Sequence, residues 1–212
     1  MAALDLQEQE QLDTLKAWWK DNGNYLLGAL LIVLVAMGGW RGWQYYQNQQ
    51  SVEAATLYAG FVKQLESNDA KRVNDAAAAV MGQYAGTAYA TRAALLAAQV
   101  NEQVKDVARA KTQLQWVIAH AEEASLKDVA RLRLAAVLLD EKDYDGAMNL
   151  LETKHPASFD GLYADLRGDV LSAQGKKEEA KSAYKLAYEK TDAKSTYRNL
   201  IQIKMDALGE VK

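Results

Sequence analysis

The first pattern along the chain is an uncharged apolar run, which reads LLGALLIVLVAMGGW from Leu26 to Trp40. Each of its eight Leu, Ile and Val side chains favours transfer into a bilayer by roughly 0.3 to 0.6 kcal/mol. With the residues that flank it, the run reaches the ~20 residues that a spanning helix needs. Aromatic residues typical of membrane interfaces lie on both sides: Trp18, Trp19 and Tyr25 before it, and Trp40, Trp43, Tyr45 and Tyr46 after it. The pattern predicts a transmembrane helix over residues 24–46.

The basic residues around this run predict its orientation. Lys16 and Lys20 precede the run, whereas Arg41 is the one basic residue after it before Lys63. Because Lys and Arg are retained on the cytoplasmic side, we expect the N-terminus in the cytoplasm. The chain then divides into a cytoplasmic amphipathic segment (1–23), the transmembrane helix (24–46) and a domain on the far side of the membrane (47–212).

A cleaved signal peptide is the alternative interpretation of the apolar run. Ala36 and Gly38 are small enough to precede a cleavage site. The acidic segment before the run and the aromatic residues after it argue against cleavage. In the first segment, Leu12, Leu15 and Trp19 recur at helical spacing above an acidic face, which predicts a short helix at the membrane surface or against a partner.

From Ser51 onward the chain is rich in alanine, contains one proline and shows no sustained alternation of apolar and polar residues. This composition predicts helices throughout, and therefore an all-α fold. Residues that disfavour helices recur at intervals that divide the domain into helices of ordinary length. These breaks lie near 67–69, 86, 103–105, 123–125, 140–143, 155–161, 175 and 191–193.

Residues 165–190, DLRGDVLSAQGKKEEAKSAYKLAYEK, resemble a tetratricopeptide repeat, which is a pair of antiparallel helices. Gly168 matches the small residue of the first helix and Gly175 the turn. The second helix carries the alternating small and large contact residues Ala180, Tyr184 and Ala187. Small residues at these positions let the two helix backbones approach closely. A bundle that is merely rich in alanine is the weaker alternative.

Two more units precede this one, at residues 94–118 and 132–152. Ala135 lies 33 residues before Gly168, and Ala98 lies 37 residues before Ala135. The longer offset predicts a long turn around residues 120–126, and Lys154 predicts an early end of the second helix before Pro156. A degenerate helix pair at 52–65 and 73–84 completes a small solenoid of three to four pairs.

Composition excludes several classes of function. The net charge is −3 and basic residues are scattered, so nucleic-acid binding is not expected. No cysteine is present, which excludes disulfides and thiolate sites. The two histidines, His120 and His155, fall in or beside predicted turns, where we expect solvated side chains. Because no phosphate-binding loop, nucleophile elbow or metal-ligand spacing occurs, we expect neither an enzyme nor a cofactor or metal.

Several stretches together carry a resemblance to one bacterial family. They are residues 8–27 before the apolar run, Trp40, Trp43 and Tyr46 after it, and residues 113–117, 126–148 and 168–184 in the repeats. In this combination the chain resembles the YfgM-type ancillary subunits of the Sec translocon. The resemblance implies an inner-membrane protein with a periplasmic repeat domain. It also implies association with the SecYEG translocon and with a membrane-anchored periplasmic chaperone of the PpiD type.

Candidate binding residues follow from the stacking of repeats, since the first helix of each pair lines the inner face. Mixed leucines and charges there suit a partner segment with an apolar stripe. The candidates are Arg92, Leu95, Gln99, Glu102, Leu132, Arg133, Ala136, Leu139, Leu162, Asp165 and Asp169. For Leu132 and Leu139, packing against a neighbouring helix is an equal alternative.

Gly38 and Gly42 form a second candidate contact, because glycines four apart let a partner helix approach the transmembrane helix. Permissive glycines near the interface are the alternative. We expect a protein-binding adaptor that helps transfer secreted, unfolded chains to a chaperone. The competing hypothesis is a scaffold that joins membrane proteins without touching client chains.

Overall fold

A computed structural model describes residues 2–67 and 69–209, and the described residues form helices joined by short loops. Within these ranges no strand occurs, and the all-α prediction is confirmed. Met1, Asn68 and residues 210–212, which the predicted domain bounds include, lie outside the described residues, and so does the middle residue of the break predicted at 67–69. The helices are α1 (Ala2–Leu65), α2 (Ala70–Gln83), α3 (Ala88–Gln103), α4 (Val107–His120), α5 (Ala124–Asp140), α6 (Tyr144–Leu151), a 3-10 turn (Ala157–Phe159), α7 (Asp160–Ala173), α8 (Lys177–Lys190) and α9 (Tyr197–Ala207).

The described chain divides into two compact units between Gln50 and Ser51. The first unit is a single stretch of α1, so the N-terminal segment is not the separate short helix that its pattern predicts. Among the described residues, one helix near the N-terminus, Gln9–Leu65, is long and apolar enough to cross a membrane. Its apolar side chains are exposed, as at Ile32 with 70% of its surface accessible. A bilayer would cover this surface.

The second unit is a series of helix pairs whose backbones approach closely at small residues. Ala135 of α5 and Ala147 of α6 are fully buried where these helices meet. In the next pair, Gly168 of α7 lies against the ring of Tyr184 in α8, so a β-carbon on residue 168 would overlap that ring. The predicted repeat contacts are therefore the contacts that hold each pair together.

The turns inside the three pairs share one backbone conformation. Lys105, Lys142 and Gly175 have positive φ angles of 61°, 65° and 77°. In each turn, the N–H of the residue after the positive-φ position donates a hydrogen bond of 2.8 to 2.9 Å to the carbonyl five residues before the donor. In the first turn this bond joins Asp106 to Asn101. This is the Schellman ending of a helix, which glycine favours. The spacing of the three turns repeats the offsets of the sequence units.

Two expectations about loop lengths have different outcomes. The turn predicted around residues 120–126 is wrong in its length: α4 ends at His120 and α5 begins at Ala124. The residues that make the offset between these repeats longer belong to α5 instead of a loop. The Glu123 carbonyl accepts hydrogen bonds from the N–H groups of Leu126 and Lys127, so the helix begins there. By contrast α6 ends at Leu151, ahead of Lys154 and Pro156, as its sequence predicts.

The Gly168 crossing can be tested by adding one methyl group. We expect Gly168→Ala to lower the free energy of unfolding by roughly 1 to 3 kcal/mol, because the overlap with Tyr184 forces the helices apart. Gly60 of α1 is the matched control, since a β-carbon there meets no atom within 4 Å. Gly60→Ala should raise stability by about 0.5 to 1 kcal/mol through helix propensity. Urea unfolding followed by circular dichroism measures both; equal effects would contradict this packing.

Candidate protein-binding surface

The predicted binding residues lie on α3, α5 and α7, and we call this set the first-helix surface. The structure places these helices and α9 side by side, with a polar contact between each pair of neighbours. Several predicted binding residues make these internal contacts. The surface left open to a partner is therefore smaller than the sequence predicts.

Between α3 and α5 the contact is made by Arg133. Its guanidinium donates to the Leu95 carbonyl at 3.2 Å and to a Glu102 carboxylate oxygen at 3.2 Å. Arg133 and Glu102 are each about 30% exposed, so the pair is partly shielded from water. Both residues were predicted to face a partner. In the structure their charges neutralise each other and join two repeats.

Between α5 and α7 the contact is made by Asp128, which is 1% exposed. Its carboxylate accepts hydrogen bonds from the Tyr163 hydroxyl at 2.9 Å and from Arg131 at 2.7 Å. Burial, together with this carboxylate, raises the pKa of Tyr163 to about 12. The His155 ring stacks on Tyr163 with centroids 3.8 Å apart. His155 is thus half-buried rather than solvated as expected, whereas His120 is exposed.

Between α7 and α9 the contact is made by Lys204, whose ammonium donates to Asp165 at 2.7 Å and to Asp169 at 2.8 Å. The Tyr197 hydroxyl donates to Asp165 at 2.6 Å, and the Tyr184 hydroxyl to Asp169 at 2.8 Å. Burial opposes the Lys204 charge, but its hydrogen bonds to the two aspartates raise its pKa. Asp165 is 3% exposed, so it binds the chain's own last helix and is closed to a partner.

Three of the four leucines of the first-helix surface pack within the protein. Leu132 and Leu139 lie against the buried cluster around Ala135 and Tyr163, and Leu95 lies against the cluster around Leu114. Leu132 and Leu139 therefore pack against neighbouring helices, which was the alternative to partner binding. Ala136 is half-buried on the same helix.

Arg92, Gln99 and Leu162 are the exposed members of the predicted set. Arg92 and Gln99 are seven residues apart on α3, so they share one face of that helix. Within the part of the chain that the structure describes, Arg92 has no carboxylate within ion-pair distance. An uncompensated cation beside a neutral amide suits a partner that presents an acidic group.

Gly38 and Gly42 lie on the exposed apolar part of α1. A β-carbon at either residue would meet no atom within 4 Å, so this helix face is open. Contact with a partner helix at these glycines stays a prediction.

Comparison with known proteins decides the family. Residues 16–210 match the tetratricopeptide repeat-like domain family. A protein of Neisseria gonorrhoeae named ancillary SecYEG translocon subunit is 33% identical over 210 residues, which is 97% of this chain and 99% of the relative. The chain belongs to the family of ancillary SecYEG translocon subunits. Members with the same name occur in Haemophilus influenzae, at 29% identity over 87% of this chain and 90% of the relative, and in Escherichia coli, at 29% identity over 95% and 97%.

The relatives extend over nearly the whole chain, so the family includes the apolar helix as well as the repeats. The resemblance to the YfgM-type family is confirmed. No solved structure shows significant similarity to this chain.

The buried Tyr163 contact predicts that this protein becomes less stable at alkaline pH. Because folding raises the Tyr163 pKa from 10 to about 12, its stabilising effect is complete below pH 10 and is lost as the pH rises through 12. We expect the urea midpoint to fall between pH 9 and pH 11, and to fall less in Tyr163→Phe. Both proteins should change equally little between pH 7 and pH 8. An equal alkaline loss in both proteins would show that this hydroxyl does not contribute.

Proposed function

We propose that this protein is a membrane-anchored, protein-binding adaptor of the SecYEG translocon. Its repeat domain joins the translocon to a membrane-anchored periplasmic chaperone of the PpiD type and helps to transfer secreted chains. The observation that carries the proposal is the near-complete match to proteins named ancillary SecYEG translocon subunits. The repeat fold supports it, since stacked helix pairs offer an extended surface for other proteins.

In this proposal the apolar part of α1 spans the bacterial inner membrane once. Lys16 and Lys20 hold the N-terminus in the cytoplasm, and the repeat domain lies in the periplasm. The exposure of the apolar side chains of this helix supports a bilayer as their natural environment.

The partner-binding residues in this proposal are the exposed ones on the first-helix surface. Arg92 and Gln99 present a cation and an amide on one face of α3, and Leu162 presents an apolar side chain on α7 that is 41% exposed. A cation, an amide and an isolated leucine suit a partner segment that carries acidic and apolar residues. Arg133, Asp165 and Asp169 hold neighbouring helices together, so they support this surface from within.

A scaffold that joins membrane proteins without client contact is the second candidate. The observation that favours it is the packing of Leu95, Leu132 and Leu139 inside the domain, which leaves little apolar surface on these helices for unfolded chains. Both candidates require a folded protein partner, and they differ in whether secreted chains touch the domain.

Charge reversal at Arg92 tests the binding surface. We expect Arg92→Glu to reduce co-purification of the translocon or the chaperone in mild detergent several-fold, because an acidic partner group would be repelled. The melting temperature should stay nearly fixed, since Arg92 is exposed. Lys185→Glu is the matched control, because Lys185 is also exposed and lies on α8. Loss of both partners in Lys185→Glu, with full binding in Arg92→Glu, would refute this surface.

The proposed topology has a separate test. A reporter that is active only outside the cytoplasm, fused after Lys212, should be active because the basic flank keeps the N-terminus inside. Several lysines added just after Tyr46 should weaken that orientation. An inactive reporter on a folded, membrane-bound fusion would contradict the periplasmic assignment.

A further inference from the structure

Helix α6 is much shorter than the corresponding helices of the other repeats. It has 8 residues, six fewer than the 14 of α4 and of α8. Since an α-helix rises 1.5 Å per residue, the six missing residues amount to about 9 Å of helix. The chain continues as a loop and a 3-10 turn before α7 begins at Asp160. The second repeat therefore lacks the last turns of its second helix.

A groove on the α7–α8 pair begins where α6 ends. One cavity lies just beyond Leu151, where α6 ends, and a second cavity continues it along the two helices. Both cavities are lined by Ala164, Arg167 and Leu186, so they form one continuous groove. Asp160 and Lys190 line the end of the groove near α6, and Glu179 lines the other end.

The groove has an apolar centre. Leu186 is 46% exposed and lines both cavities, together with Leu151 of α6 in one of them and with Ala183 in the other. Covering a water-exposed leucine with an apolar side chain is favourable, because apolar surface is removed from water.

At the end near α6, the groove has more basic than acidic side chains. Asp160 lies between His155 at 3.4 Å and Lys190 at 3.3 Å. Arg167 is exposed and, within residues 2–67 and 69–209, makes no ion pair within 4 Å. Glu179 lines the far end of the groove. The centre of the groove therefore offers a leucine and an unneutralised guanidinium side by side.

We propose that this groove, bounded by the end of α6 and by α7 and α8, is a second protein-docking site, whose occupant is a short amphipathic helix of a partner protein. The occupant carries an apolar stripe that covers Leu186 and a carboxylate that pairs with Arg167. Helical shape follows from the origin of the groove, because two turns of helix would restore the packing that α6 lacks. The charge of the occupant follows from Arg167, since a guanidinium binds carboxylates bidentately. This site is separate from the first-helix surface and goes beyond the adaptor function proposed above.

The test uses a synthetic stapled helical peptide of about 14 residues, with leucines along one face, glutamates beside them and a fluorescent label. The full chain is reconstituted in lipid nanodiscs, and empty nanodiscs give the background. We expect saturable binding by fluorescence anisotropy. Arg167→Glu should weaken it at least tenfold, whereas Lys185→Glu, a charge reversal at an exposed residue of α8 that does not line the groove, should leave it unchanged.

A charge swap keeps the test independent of folding defects. A peptide with lysines in place of the glutamates should bind Arg167→Glu more tightly than it binds the unmodified chain. A peptide with serines in place of the leucines should not bind either protein.

Absence of saturable binding to the unmodified chain would overturn the proposal. An equal loss in Lys185→Glu and Arg167→Glu would also overturn it, because attraction would then be nonspecific. If Arg92→Glu abolishes peptide binding while Arg167→Glu does not, the peptide occupies the first-helix surface and the second site is refuted. The adaptor function would survive that result.

Discussion

Close approach of paired helices at small residues is the constraint on which the repeat domain depends. Ala135 faces α6, and Gly168 faces the Tyr184 ring, with no room for a further methyl group at residue 168. When two helices approach this closely, the large residues next to the crossing fill the space toward the next pair. Each pair therefore presents a fixed surface to its neighbour, and the stack follows from the repetition of one contact.

The polar contacts between neighbouring first helices depend on that stacking. Arg133 can reach Glu102, and Lys204 can reach Asp165, because the pairs hold α3, α5, α7 and α9 side by side. Asp165 is a buried carboxylate, and such a group is costly unless it is hydrogen-bonded and paired. Lys204 and Tyr197 satisfy this requirement. The last helix thus closes the stack, and charges that a partner could have used stabilise the domain instead.

Local features of the sequence were sufficient to predict the helices and their pairing. Gly175, Ala180 and Tyr184 follow the repeat pattern closely, and Pro156 with Lys154 predicts the early end of α6. The turns at Lys105 and Lys142 have the same backbone as Gly175 without its glycine, and the breaks predicted at 103–105 and 140–143 fall on them. The prediction of a long turn near residue 121 was wrong, because the spacing between two repeats does not show whether the additional residues belong to a loop or to a helix.

What covers each predicted binding residue could not be predicted, because it depends on contacts between residues far apart in sequence. Arg133 pairs with a residue 31 positions away, and Lys204 bonds to Asp165 39 positions away. A charge on a helix face looks the same in sequence whether it meets water, a partner or another repeat. Asn101 illustrates the same limit, since it is fully buried and bonds to Asn74 and Gln113 on two other helices. Repeat position predicts which helix carries a residue, but not what covers it.

The central claim is that the exposed part of the first-helix surface contacts the translocon or its chaperone. Site-specific photo-crosslinking in living cells tests it most directly, with a photoreactive amino acid in place of Gln99 and, as a matched position, in place of the exposed Gln115 on α4. We expect a covalent product between position 99 and a SecYEG subunit or a PpiD-type chaperone, and none from position 115. Products from position 115 alone would contradict it.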